Sequence, residues 1–238
     1  MFEWISSPEA WVALGTLTAL EIVLGVDNII FLSILVGRLP ESQRNFARRL
    51  GLGLAMFARL GLLFSLSWVM GLREPIVTLG ELAVSGRDTI LFGGGLFLIG
   101  KATQEIHEAL EGNDNQSKPS GKNGLFWILL QIAVLDIVFS LDSVITAVGL
   151  VNVVSIMATA IIIAVGVMMF AAAPIGNFVD RHPTIKILAL AFLILVGVML
   201  VLECFSIHIP KAYIYFAMVF SVVVELINIK MRKKNNQT

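Results

Sequence analysis

Seven long apolar runs, separated by short polar stretches, dominate the pattern of hydrophobic and polar positions along the chain. The runs cover approximately residues 10–36, 47–71, 88–107, 124–149, 154–178, 184–204 and 210–230. Each run is about twenty residues or longer, the length with which an α-helix crosses the roughly 30 Å hydrocarbon core of a bilayer. Because the runs use most of the chain, the pattern predicts a single all-α membrane domain over residues 1–238, a polytopic bundle of seven transmembrane helices.

Composition agrees with this prediction. The chain is 57% hydrophobic and 14% charged, which excludes an ordinary soluble domain. The N-terminal stretch has no basic residue before the first apolar run and no small-residue cleavage site after it, so we expect the first helix to be retained. The single cysteine, Cys204, excludes an intrachain disulfide and a cysteine-rich metal site. We expect contact with the lipid bilayer and none with nucleic acid.

The distribution of lysine and arginine predicts the orientation of the chain. The connections after the first, third and fifth runs, with the C-terminal tail, hold twelve basic residues: Arg38, Arg44, Arg48, Arg49, Lys118, Lys122, Arg181, Lys186, Lys230, Arg232, Lys233 and Lys234. The opposite side holds three: Arg73, Arg87 and Lys211. Because basic loops stay in the cytoplasm, the N-terminus is expected outside and the C-terminus inside the cell.

One motif occurs twice. The segment EIVLGVDNIIFLS starts at Glu21, and DIVFSLDSVITAV starts 115 residues later (136 − 21), at Asp136. The aligned polar positions are Glu21 with Asp136, Asp27 with Asp142, and Asn28 with Ser143. Matched acids at the same spacing in two apolar runs indicate an internal repeat.

The repeat divides the chain into two units of three helices. Repeat one covers about 10–107 and repeat two about 124–204; a cytoplasmic linker of about 108–123 joins them, and an extra helix of about 210–230 follows. Because each unit has an odd number of spans, the units have inverted topology, as in many secondary transporters. Residues 72–88 are too interrupted by Pro and Gly to span and are expected at the outer surface.

The four motif acids fall near the centres of their runs. Each acid there costs about 2.5–3.5 kcal/mol on insertion scales, so four cost on the order of 10 kcal/mol. They therefore face a cavity, one another or a cation. A protonated, hydrogen-bonded pair that only joins helices is the structural alternative, and the duplication favours a functional site.

Spacing constrains the site. Residues six apart on a regular helix are about 120° apart around the axis and about 9 Å along it, so Glu21 and Asp27 could not reach one ion. Glu21 and Asn28, seven apart, share a face. A break at Gly25 and at its repeat partner Ser140 would turn both acids inward, whereas an unbroken helix would not.

The residue types favour a hard or borderline divalent cation. The candidate metal ligands are Glu21, Asp27, Asn28, Asp136, Asp142 and Ser143. Their oxygens suit Mg²⁺, Ca²⁺ and Mn²⁺, while the three histidines fall at span ends, away from such a site. The cation is expected as a substrate, with no tightly bound cofactor. Methionines such as Met168 are expected to be apolar filler.

The sequence does not decide the roles of the other ionisable residues in the runs. Arg59 is expected to pair with a site acid, in a structural or a gating role. Glu225 in the last run has no repeat partner. Lys101, Glu105 and Glu108 fall on one face at the end of the third run, and form either a solvated helix end or an inner vestibule.

The two acidic motifs, together with RRLGLGLAM, GGLFLIGKA, EIHE and IPKAYIYFAM, resemble the TerC family of bacterial integral membrane proteins, and closely its short, YgdQ-type branch. The resemblance covers nearly the whole chain. It implies seven spans in the cytoplasmic (inner) membrane, and it implies a link to tellurite resistance, manganese export and metal supply to secreted enzymes. It assigns the acidic site to the same six residues. We expect the chain to lack the cytoplasmic regulatory domains of longer relatives.

Three functions compete. The favoured one is a membrane transporter that exports a divalent cation, manganese above all, through the mid-membrane acids, and not an enzyme. The second is a non-transporting membrane partner that supplies metal to secreted proteins, with contacts to the secretion machinery or to further copies of the chain. The third and least favoured is an intramembrane hydrolase in which two aspartates share a proton.

The charge distribution generates a topology prediction. A reporter fused after Thr238 is expected to be active in the cytoplasm, and one fused near Ser85 is expected to report the outside. The measurement is the activity of paired cytoplasmic and periplasmic reporters at both sites. The reverse pattern would contradict both the orientation and the inverted relation of the repeats.

Overall fold

The computed structural model describes residues 7–72, 74–79, 82–111, 122–151, 153–207 and 209–235. Within them the chain forms eight α-helices and one β-hairpin. The helices are α1 (Pro8–Gly37), α2 (Glu41–Phe64), α3 (Leu66–Gly71), α4 (Gly86–Glu111), α5 (Lys122–Leu150), α6 (Val154–Arg181), α7 (Pro183–Cys204) and α8 (Lys211–Asn235). A long helix stands at each of the seven apolar runs, which confirms an all-α membrane fold.

Among the described residues, five helices are long and apolar enough to cross a membrane by themselves: Pro8–Gly37, Gly124–Gly149, Val154–Arg181, Pro183–Cys204 and Ala212–Arg232. The other two long helices, α2 and α4, do not reach that mean hydropathy with so few charged residues. Many large apolar side chains point away from the bundle, such as Phe170, Phe216 and Phe57, as expected of a lipid-facing surface. The count of seven spans stays a prediction.

Local chemistry explains the helix boundaries. Prolines stand at the first turn of α1 and α7, where the missing N–H group has no helical partner to lose. Pro174 lies inside α6 without ending it, as neighbouring helices in a membrane protein permit. The second apolar run, expected as one helix, is divided at Ser65, where the backbone leaves helical geometry between α2 and α3. Serine competes with the helical hydrogen bonds, and Gly61 four residues earlier weakens the same turn.

Residues 72–88 contain the hairpin, formed by β1 (Pro75–Leu79) and β2 (Leu82–Ser85). The strands are antiparallel, and Leu79 pairs with Leu82, so two residues connect them. The prediction that this stretch does not span agrees with the hairpin. The strands themselves were not predicted, although β-branched residues, which favour strands, occur in both segments.

The helices pack in pairs that come from opposite halves of the chain. α1 packs on α6, and α2 packs on α5; α4 and α7 pack on each other, as do α2 and α6. If α1, α2 and α4 are exchanged with α5, α6 and α7, this set of pairs is unchanged. α8 packs on α7, at the edge of the bundle. The packing is what an inverted repeat would produce, and the division into two repeats stays a prediction.

The contact between α4 and α7 depends on two glycines. A Cβ atom at Gly95 would lie 2.6 Å from the carbonyl oxygen of Gly197, and a Cβ atom at Gly197 would lie 2.8 Å from the carbonyl oxygen of Gly95. The contact is therefore reciprocal and made by backbone. Small residues allow membrane helices to approach this closely, and any side chain here would force the backbones apart.

The ends of α1 and α4 are joined by ion pairs. Arg38 contacts Glu105 and Glu108, each at 2.5 Å, and Lys101 lies 3.3 Å from Glu105. Glu105 is only 2% exposed. The face that carries Lys101, Glu105 and Glu108 is thus not simply a solvated helix end, because its central carboxylate is buried between two cations.

The glycine contact generates a stability prediction. Gly95→Ala is expected to lower the free energy of unfolding by about 1–3 kcal/mol, because the added methyl group meets backbone that cannot move aside. Gly93→Ala, two residues away in α4, is the matched control: no atom lies within 4 Å of a Cβ there. It should leave stability unchanged or raise it by up to about 1 kcal/mol. Unfolding in detergent measures both, and equal effects would contradict the close contact.

Candidate functional site

The first acids of the two motifs lie at the middle of their helices. Asp136 is the midpoint of α5 (122–150), and Glu21 is within two residues of the midpoint of α1 (8–37). Both are buried, at 4% and 5% exposure. The apolar helices that carry them therefore bring both carboxylates to the centre of the bundle, away from either water-facing end.

Arg59 of α2 joins these two acids. Its Nη2 and Nε atoms donate to Oδ1 of Asp136 at 3.0 and 3.2 Å, and its Nη1 atom donates to Oε2 of Glu21. The guanidinium is 2% exposed. One buried cation thus compensates one acid from each motif, which is how charges inside a membrane are normally retained.

Polar neighbours cross between the two motifs. Asn28 donates to Oδ1 of Asp136 at 3.2 Å. Its repeat partner Ser143 lies near Glu21 and donates from its hydroxyl to the carbonyl oxygen of Ser140 at 3.2 Å. Each motif therefore places its uncharged polar residue, Asn28 or Ser143, near the other motif's first acid.

A small cavity adjoins this cluster. Its polar lining comes from Asn28, Arg59 and Asp136, and the rest is apolar, including Met168 and Ala55. The space holds about one water molecule. The charged cluster therefore borders on a narrow, mostly apolar space.

The structure brings together four of the six predicted site residues: Glu21, Asn28, Asp136 and Ser143. The side chains of Asp27 and Asp142 lie outside the described residues, so their assignment as ligands stays a prediction. Among the side chains that are described, no group of three His, Cys, Asp or Glu residues could hold a metal ion. The spacing of seven predicts that Glu21 and Asn28 share a face of α1. Both residues lie near Asp136, which agrees with this prediction.

Of the two alternatives for the motif helices, broken or unbroken, the structure shows the unbroken one. α1 and α5 run unbroken through Gly25 and Ser140. Gly25 instead makes room for the next helix, because a Cβ atom there would collide with the sulfur of Met168 on α6. Ser140 donates from its hydroxyl to Oδ2 of Asp136 at 3.0 Å. The two equivalent positions thus serve packing and hydrogen bonding, and neither unwinds its helix.

Other ionisable and polar residues are now placed. The expected pairing of Arg59 with a site acid is confirmed, and the structure adds that it contacts two. Met168 is 3% exposed and packs in the core, as expected of filler, but it also lines the cavity. Glu225 accepts a hydrogen bond from Asn228 at 3.3 Å on its own helix, away from the cluster.

The shared arginine generates a non-additivity prediction. Glu21→Gln or Asp136→Asn alone leaves Arg59 with one acid and is expected to cost no more than about 1 kcal/mol of stability. The double variant leaves a buried arginine without an acid and should cost about 3–5 kcal/mol. Unfolding of all four proteins in detergent with a metal chelator gives the coupling energy, expected at about 1 kcal/mol or more. Additive effects would show that the acids do not share Arg59.

Comparison with known proteins places the chain in a family. The family described as "Integral membrane protein TerC family" matches residues 6–238. The chain is 63% identical to a UPF0053 protein of Haemophilus influenzae over 98% of its own length and 99% of the relative's. It is 58% identical to the UPF0053 inner membrane protein YgdQ of Escherichia coli strain K12, over 99% of both chains.

A longer relative is matched over part of its length. The chain is 48% identical to the Escherichia coli UPF0053 inner membrane protein YoaE, over 95% of the chain and 44% of that protein. No solved structure matches. The match over nearly the whole chain confirms the resemblance seen in the acidic motifs: the chain belongs to the TerC family of integral membrane proteins.

Proposed function

We propose that this protein is a secondary transporter that exports a divalent cation, Mn²⁺ foremost, across the bacterial inner membrane. The observation that carries the proposal is the meeting of Glu21 and Asp136, equivalent acids of a duplicated motif, in the buried centre of the bundle. Secondary transporters place their ion sites at this depth, at the interface between repeats.

The charge balance favours a cationic substrate. The two motifs carry four carboxylates, and Arg59 is the one cation among the described residues that line the cavity. Four negative charges less one positive charge leave a surplus of three if all four acids are ionised. Such a surplus is costly in hydrocarbon, and a divalent cation, with protons on the remaining acids, offsets it.

The ligand chemistry favours manganese over zinc. The cluster offers carboxylate, amide and hydroxyl oxygens, and its cavity is lined by neither histidine nor cysteine among the described residues. Oxygen ligands suit Mg²⁺, Ca²⁺ and Mn²⁺. We assign Asp27 and Asp142 as core ligands, with Glu21 and Asp136 as further ligands or proton acceptors that couple the cycle.

The packing supports alternating access. The helix pairs are preserved when the two halves are exchanged, so a rearrangement that opens one side has a counterpart that opens the other. The reciprocal glycine contact of Gly95 and Gly197 lies where α4 and α7 would move against each other. The names of YgdQ and YoaE as inner membrane proteins agree with the proposed location.

The deciding experiment is ion flux with the purified protein alone. Mn²⁺, Mg²⁺, Ca²⁺ and Zn²⁺ are added in turn to the outside of reconstituted liposomes. Entry of each ion is followed with a fluorescent indicator inside the liposomes. Inside-out vesicles from cells then test the direction, since export from the cytoplasm appears there as uptake. Metal binding without flux would identify a non-transporting partner that presents metal, and would overturn the transporter.

Binding generates its own prediction. Mn²⁺ should raise the melting temperature of the parent protein, because a ligand of the folded state stabilises it by RT ln(1 + [L]/Kd). Asp27→Asn and Asp142→Asn should remain folded and lose most of this shift, because the amide keeps the shape but not the charge.

A matched control is available in α6. Asp180 pairs with Arg44 and Arg48 at 3.7 Å near the end of α6, whereas Glu21 and Asp136 lie at the middle of their helices. Asp180→Asn should therefore keep the parent's Mn²⁺ shift, whatever its own stability. Unchanged shifts in both motif variants would defeat their assignment as ligands.

A further inference from the structure

Arg59 and its polar neighbours occupy oxygen lone pairs of both acids, most of them on Asp136. Oδ1 of Asp136 accepts from Nε and Nη2 of Arg59 at 3.2 and 3.0 Å and from Asn28 at 3.2 Å. Its Oδ2 atom accepts from Ser140 at 3.0 Å, while Oε2 of Glu21 accepts from Arg59. A cation cannot use these two acids together while the guanidinium lies between them.

The guanidinium also occupies the position that a bound cation would take. It lies between equivalent acids of α1 and α5, and it reaches them from a third helix, α2. Its positive charge is of the same sign as the cargo, it is attached to the protein, and it cannot be lost by deprotonation. A structural ion pair would need only one acid, whereas this arginine compensates one from each motif.

Resting on the proposed function, we infer that Arg59 is a tethered counter-cation that competes with the transported ion for Glu21 and Asp136. It neutralises the two acids in the empty carrier, and the arriving divalent cation displaces it from them. When the cargo leaves, the guanidinium returns, so the empty carrier can change conformation without bare carboxylates in the membrane.

The surroundings allow such a movement. The cavity that adjoins Arg59 is lined on the same helix by Ala55, which lies one turn away and presents only a methyl group. The arginine side chain has several rotatable bonds, so its head group can change position by rotation of the side chain. The space for about one water molecule gives the displaced head group a first step away from Asp136.

The inference predicts that loss of Arg59 affects two modes of flux differently. Exchange of Mn²⁺ for Mn²⁺ needs only the loaded carrier to change conformation, whereas net flux also needs the empty carrier to return. Loss of the counter-cation should therefore stop net flux and spare exchange. A residue that merely holds helices together would reduce both modes in the same proportion.

The test uses Arg59→Gln in the full chain, reconstituted in liposomes, with radioactive Mn²⁺ as the probe. Exchange is measured with unlabelled Mn²⁺ inside, and net entry is measured with none inside. The ratio of net flux to exchange should fall at least tenfold relative to the parent. In detergent at pH 8, where few protons compete with the metal, the Kd of Arg59→Gln for Mn²⁺ should be at least tenfold lower than that of the parent.

Arg48→Gln is the matched control. It makes the same substitution on the same helix, at an arginine that is 3% exposed and pairs with Asp180, outside the cluster. Its ratio of net flux to exchange and its Kd for Mn²⁺ should equal those of the parent. A folded Arg59→Gln protein that keeps the parent's ratio, or that loses both fluxes equally, overturns the inference.

Arg59→Lys decides the matter if the glutamine variant does not fold. Lysine keeps the charge but has one ammonium group, which cannot bridge both acids as the guanidinium does. Its flux ratio should lie below the parent's, and its Kd for Mn²⁺ should be several-fold lower; parental values of both overturn the inference. A parent that neither binds nor moves Mn²⁺ would instead show that the proposed function itself is wrong.

Discussion

The ion cluster of Glu21, Arg59 and Asp136 is the interaction on which the centre of this bundle depends. A carboxylate in hydrocarbon has no water to solvate it, and two of them from different helices would repel each other. The guanidinium of Arg59 replaces that water and holds α1, α2 and α5 at one point. In lipid, apolar surfaces give helices little driving force to associate, and this ion cluster supplies a specific interaction between them.

Close packing elsewhere follows from the same requirement. A polar centre is tolerated only if lipid is kept away from it, and this needs helices that approach closely on all sides. Gly25 lets Met168 of α6 lie against α1, and Gly95 and Gly197 bring α4 and α7 into backbone contact. Each glycine is used for space and not for a turn, so the helices stay continuous around the cluster.

Much of this arrangement could be predicted from the sequence, because a membrane limits the choices. Apolar runs gave the helices, and the duplicated motif gave Glu21 and Asp136 as equivalent buried acids. The spacing of seven placed Asn28 on the face of Glu21. These features are local, or they repeat along the chain, so a single sequence contains them.

Features that depend on neighbours could not be predicted in this way. A helix break at Gly25 was one of two alternatives that the sequence left open, and the glycine is there because of Met168, which lies 143 residues away in the sequence (168 − 25). That Arg59 contacts both acids could not be predicted without knowing that α2 packs beside α5 and near α1. The hairpin was not predicted because Pro75, which suggests an interruption, marks the start of β1.

The single arginine also makes the two halves of the repeat chemically different. Asp136 receives donors from Arg59, Asn28 and Ser140, while Glu21 receives Arg59 and lies near the Ser143 hydroxyl, which donates to the carbonyl oxygen of Ser140. Under the proposed transport function, two identical half-sites would bind and release the ion with the same energy on either side of the membrane. The better compensated acid would then be the weaker competitor for the ion, so the asymmetry around Arg59 would give the ion a preferred order of contact with the two acids.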